Sequence, residues 1–121
     1  MYKMTKYEEI IKKLEEIGFK VKEEYDLDSQ YIVLERTVEQ HNTHQVVIED
    51  HRYERAEKDF DPRRDTGDWL IFSSLTDDER DWFGRFVETQ YPLKLEEVHL
   101  IEELITCLEE KCTQMLDEVG V

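Results

Sequence analysis

Three of the four histidines of this 121-residue chain, His41, His44 and His51, fall close together beside Glu49 and Asp50. Imidazole nitrogens and carboxylate oxygens are the donors that zinc or manganese takes, and two histidines three apart can reach one ion from a loop. The spacing matches no established zinc pattern, however, and His99 lies far along the chain. Polar residues in a hairpin loop and strand end are the favoured reading. A second cluster, Asp59, Asp61, Asp65 and Asp68, offers the hard oxygen donors that calcium prefers. There Arg63 and Arg64 intrude where ligands would stand, and no glutamate closes the loop. A salt-bridged or solvated turn is expected instead, and neither a resident metal nor a cofactor is assigned.

Nucleophilic and phosphate chemistry find no motif. GxSxG, the P-loop and GxGxxG are all missing, and the four glycines, Gly18, Gly67, Gly84 and Gly120, are dispersed. Cys107 and Cys112 stand five apart on what reads as one helix, about 140° around its axis, which rules out a bond between them. Cys112 is expected in the core and Cys107 as a partly exposed free thiol without basic neighbours to activate it. Carboxylates are so numerous that no pair stands out for acid–base work. The chain is expected not to be an enzyme, with no catalytic residue assigned.

Charge is the stronger signal. The formal net charge is −15, and it is unevenly placed. Residues 1–65 carry 17 acidic and 12 basic side chains, whereas residues 66–121 carry 14 and four. Such a chain is repelled by nucleic acid and anionic membranes and attracted to basic surfaces. The one basic series, Arg52, Arg55, Lys58, Arg63 and Arg64, is cancelled by interleaved acids, so it makes no nucleic-acid groove.

Most of the excess falls on one element. Apolar residues at Val98, Ile101, Ile105, Leu108, Cys112, Met115 and Val119 step by three and four, which predicts a helix over 94–118. Opposite that seam each heptad carries an acid, Glu96, Glu103, Glu110 and Asp117, spaced ~10.5 Å apart by the helix rise. Glu97, Glu102, Glu109 and Glu118 stand beside them, against Lys94 and Lys111 alone. Asp77, Asp78, Glu79 and Asp81 add charge just upstream. Unbalanced carboxylates repel one another, so their retention suggests use.

The partner expected for Glu96, Glu103, Glu110, Asp117, Asp77, Asp78, Glu79 and Asp81 is the basic surface of a nucleic-acid-binding or nucleic-acid-cleaving protein, with carboxylates replacing phosphates. In size and charge, though in no motif, the chain resembles the small acidic anti-restriction and anti-CRISPR proteins of phages. Two other readings compete. The heptad seam suits a homodimeric adaptor, although flanking Leu95, Leu100, Leu104 and Leu116 widen it as packing inside a domain prefers. A small metal-dependent enzyme would centre on the histidines.

The elements that must position these residues are legible in outline. The chain suits a single α+β domain over 1–121. Thr5 with Glu8 forms a capping box, Tyr7, Ile10, Ile11, Leu14 and Ile17 share a face, and Gly18 stops the helix, giving helix one over 5–17. Its outer side is balanced, with Glu8 and Glu9 four residues before Lys12 and Lys13. Alternation from Phe19 to Leu27 predicts a first strand, with a turn at Asp28-Ser29, and further strands are expected over 30–38, 44–50 and 69–73. Short connections make the first three an antiparallel meander. Residues 51–68 read as a long connection. Thr76 with Glu79, then Trp82, Phe83, Phe86 and Val87, predict a short helix ending near Pro92. The expected fold is a small antiparallel sheet of about four strands with an N-terminal helix and two C-terminal helices packed on it. The N-terminus has no signal-like apolar segment and the longest apolar run is a few residues, so a cytoplasmic protein is expected.

Overall fold

The computed structural model describes residues 3–38, 42–51, 69–80 and 86–118; for 77–80, 86–89 and Leu116 only the backbone is described. Helix α1 spans Lys6–Glu16 and α2 spans Leu95–Glu118. Five strands lie between them: β1 (Lys20–Glu23), β2 (Tyr31–Val38), β3 (Asn42–Asp50), β4 (Trp69–Arg80) and β5 (Phe86–Gln90). They form one antiparallel sheet in the order β1-β2-β3-β4-β5. The protein is therefore of the α+β class, with a meander sheet and two helices among the described residues.

Local chemistry sets the borders. At the start of α1, the Glu8 backbone N–H donates to Thr5 Oγ1 at 3.1 Å and the Glu8 carboxylate reaches back to the Thr5 N–H, a complete capping box. At its end the Phe19 N–H donates to the Leu14 carbonyl and that of Gly18 to the Glu15 carbonyl, both at 3.0 Å. This closure needs a left-handed residue, and Gly18 has φ +100°. The β1–β2 connection is tied by Asp26, whose Oδ1 accepts from the backbone N–H groups of Asp28 and Ser29 at 2.8 and 2.7 Å.

Register decides the two faces of the sheet. Ile32 pairs with Ile48 and Leu34 with Val46, so these four point to one side. Ile10 and Leu14 of α1 and Ile101, Leu104, Leu108 and Cys112 of α2 pack on that side with Phe19 and Tyr25. The helices thus cover one face and leave the other bare of them.

Where the sequence predicts a helix from Thr76 to near Pro92, the described residues on either side, up to Arg80 and from Phe86, are strand. β4 continues in register with β3 as far as Thr76, opposite Thr43, and its last residues pair with β5, Arg80 opposite Phe86. The strand edge that β4 would leave unpaired takes β5 as a partner. Tyr91 stays on the sheet by donating its N–H to the Ser73 carbonyl at 3.1 Å, before Pro92 breaks the pattern. The first strand is also shorter than alternation implied, because a bulge between Val21 and Glu23 shifts its register. Trp82, Phe83, Gly84 and Val119 lie outside the described residues, as does the connection over 52–68.

Leu108 is fully buried where α2 meets the sheet. Leu108→Ala is expected to lower stability by ~2–5 kcal/mol, measured by urea unfolding. A loss below ~1 kcal/mol would show that this contact does not hold the layers together.

Candidate functional site

Helix α2 separates its charges as the heptad expects, with one rotation. The buried stripe runs through Glu97, Ile101, Leu104, Cys107, Leu108 and Cys112, displaced from the expected seam so that Leu104 is buried and Val98 and Ile105 are only partly so. Glu96, Glu103, Glu110 and Asp117 are all exposed, as are Glu102 and Glu118. Asp77, Asp78 and Glu79 belong to strand β4, not to a helix, and lie between Thr76 and Arg80, where the pairing of β4 with β5 shifts register. Asp81 lies outside the described residues.

Two carboxylates of the helix turn inward. Glu97 is the third residue of α2, and its Oε1 accepts the Lys94 N–H at 2.9 Å, half of a capping box in which lysine stands at the cap. Its Oε2 meets the Arg36 guanidinium, with side-chain exposures of 7% and 13%. Arg36, from β2, also donates Nη1–H to the Ile17 carbonyl at 3.3 Å, lies 4.2 Å over the Phe19 ring, and donates Nε–H to His44 Nδ1 at 3.0 Å. Glu109, two turns before the helix end, accepts from Trp69 Nε1 at 3.4 Å. Trp69 in turn lies 5.9 Å from the Tyr25 ring, whose hydroxyl donates to buried Asp50 at 3.0 Å. Burial, then Cys112 and Asp50, push the Tyr25 hydroxyl far above its ordinary range, so it remains a donor.

The proton positions around His44 follow from this. Since Arg36 Nε carries only a proton to give, His44 Nδ1 must accept and Nε2 must carry the ring proton. Nε2 lies 2.6 Å from Ser73 Oγ, which donates onward to the Tyr91 carbonyl at 2.6 Å. A nucleophilic serine needs the opposite polarity, its hydroxyl proton directed at a ring lone pair. Ser73 and His44 thus join β3, β4 and the segment before α2. His44 is fully buried between the Phe19 and Tyr91 rings, whose centroids lie 5.4 and 4.5 Å away.

Only His44 and His51 of the histidine cluster fall within the described residues, and they have different surroundings. His44 faces the helices, His51 stands 3.8 Å from Glu49, and His41 lies outside the described residues. Among the described residues no three metal-ligating side chains converge. The aspartates at 59, 61, 65 and 68 also lie outside them. Both cysteines are free and buried, which corrects the expectation of a partly exposed Cys107. Burial, then Glu110, raise the Cys107 thiol, while Lys6 opposes them. Arg36 and Ser73 carry no signal in the sequence because each lies at a position that patterning treats as polar surface. His44 and Glu97 do stand out there, but as a candidate metal ligand and as an acid beside the outer row, not as buried partners of Arg36.

No protein-family model, curated protein or solved structure matches the chain. Among the described residues no helix is long and apolar enough to cross a membrane.

Removing one partner of a buried ion pair strands the other charge. Glu97→Ala is expected to cost ~3–5 kcal/mol by urea unfolding, and a loss under ~1 kcal/mol would place the pair in water. The His44 pKa is lowered by burial and then by Arg36, with Glu97 opposing. A folded pKa below the unfolded value of about 6.5 means that the unfolded chain takes up the proton first. Stability from neutral His44 is therefore complete above that pH and lost on acidification. The melting temperature of the wild type should fall relative to that of His44→Gln between pH 7.5 and 5, and parallel curves would contradict this.

Proposed function

We propose that the chain is a non-enzymatic protein-binding module that inhibits a nucleic-acid-binding or nucleic-acid-cleaving protein by presenting carboxylates in place of phosphates, as anti-restriction and anti-CRISPR proteins of phages do. The observation that carries this reading is the row Glu96, Glu103, Glu110 and Asp117, exposed along a 24-residue helix whose opposite stripe is buried. Such a row meets a groove built for a phosphate backbone, where charge complementarity sets encounter rate and register. Asp77, Asp78, Glu79 and Asp81 are proposed as further contacts. The homodimer reading would need the seam, yet Ile101, Leu108 and Cys112 are buried in the chain's own core. Two buried free thiols suit a reducing, cytoplasmic setting.

A panel of purified nucleases and DNA-binding proteins, each holding fluorescein-labelled duplex, tests the proposal. The chain should displace DNA from at least one member. Displacement should weaken on the order of tenfold between 50 and 300 mM salt, and again in Glu103→Lys/Glu110→Lys, whose positions are exposed. Displacement indifferent to salt and to charge reversal, or none from any member, overturns it.

A further inference from the structure

The sheet face that the helices leave bare is not a solvated polar face throughout. Register places Val33 opposite Val47 and Val47 opposite Phe72, with Tyr31, Glu49 and Leu70 aligned in the next row. Phe72 is 50% and Leu70 45% exposed, while Val33 is only 6% exposed beneath its neighbours. Tyr31, Val33, Val47, Glu49 and Phe72 line a shallow groove of about 490 Å³, and Leu70 stands next to it in register with Glu49. Beyond Phe72 the same face turns polar, with Gln45 opposite Ser74. A compact apolar band bounded by polar residues marks an interaction surface.

The chemistry of the band selects its occupant. Glu49 stands between Tyr31 and Leu70, and Glu23 lines the same groove opposite Val33. Lys22, the one lysine among the described residues lining the groove, is already 3.3 Å from Glu35, and His51, 3.8 Å from Glu49, is a cation only when protonated. Anything that seals Tyr31, Leu70 and Phe72 takes Glu49 out of water, and a desolvated carboxylate requires a cation. A second copy of this chain brings a net charge of −15 and another Glu49 to the same place, which opposes self-association. We infer that the open sheet face docks a partner protein's segment that combines an aromatic or aliphatic anchor, seated on Phe72 and Leu70, with a lysine or arginine facing Glu49. This surface lies on the side of the sheet away from α2, and its use does not rest on the function proposed for the acidic helix.

The full chain, immobilised, is used to select from a phage-displayed library of random 12-residue peptides, and enriched peptides are titrated by fluorescence anisotropy. Enriched sequences should pair an apolar anchor with Lys or Arg. Their affinity should fall at least about tenfold with Phe72→Ser or Leu70→Ser and about threefold or more with Glu49→Gln. It should be unchanged with Glu103→Lys/Glu110→Lys. Both apolar positions are half exposed, so either serine variant should keep the wild-type circular dichroism spectrum, and the second stands in where the first does not. The inference is overturned if no peptide is enriched, if enriched peptides lack basic residues, or if binding ignores both serine variants. Sensitivity to the helix reversal alone would overturn it while favouring the acidic-helix reading. A concentration-dependent dimer that Phe72→Ser dissolves would also overturn it, assigning the face to a second copy.

Discussion

Arg36 carries a charge that cannot be neutralised, on a strand whose side facing the helices is otherwise apolar, and the architecture follows from how that charge is satisfied. Its guanidinium has donors in a fixed fork, and the structure uses them in three directions: the α1 end at Ile17, His44 on β3, and Glu97 at the first turn of α2. One residue of β2 therefore fixes where both helices sit on the sheet. Buried ion pairs contribute little net stability against an apolar alternative, but they penalise any arrangement that separates the partners. The pair specifies how the layers are placed, whereas the cohesion comes from Ile32, Leu34, Ile48, Ile101, Leu104 and Leu108, all with no measurable exposure.

The sequence makes some elements legible because one principle acts alone. The capping box at Thr5 and the stop at Gly18 appear where expected and α2 forms over nearly the expected span, its buried stripe rotated toward Leu104, since helix ends and amphipathic faces are local properties. The segment after β4 is not legible for a physical reason. Thr76 and Glu79 satisfy a helix-start pattern, but the edge of β4 offers a row of backbone partners that a local pattern cannot see, and Phe86–Gln90 pairs with it. Tertiary pairing outweighs a preference worth a few tenths of a kcal/mol per residue.

The acidic row was legible and its internal members were not. Glu96, Glu103, Glu110 and Asp117 repeat every seven residues, so periodicity alone places them outward. Glu97 stands one residue after Glu96 and Glu109 one before Glu110, and they reach Arg36 and Trp69 instead. What turns them inward is the presence of donors on β2 and β4, residues 61 and 40 positions away in the chain. No spacing rule within α2 contains that information. The open sheet face was hidden for a similar reason: Val33, Val47 and Phe72 become one row only once the strands are in register.

The inward carboxylates also bear on what the outward ones can do. A long helix held only by apolar packing can slide or roll, and a row of charges on it then meets a partner in several registers. Glu97 pins α2 at its first turn and Glu109 ties it to the sheet further along, so two polar anchors fix both its rotation and its axial position. The exposed carboxylates are thereby preorganised, and the ordering cost that flexible charges would meet on binding is largely met during folding. Mutual repulsion along the row remains a cost to the isolated fold that an approaching cationic surface relieves. The stability that the buried network gives to α2 and the preorganisation of the outer face proposed to bind are in this way two consequences of one helix with its carboxylates divided between inside and outside.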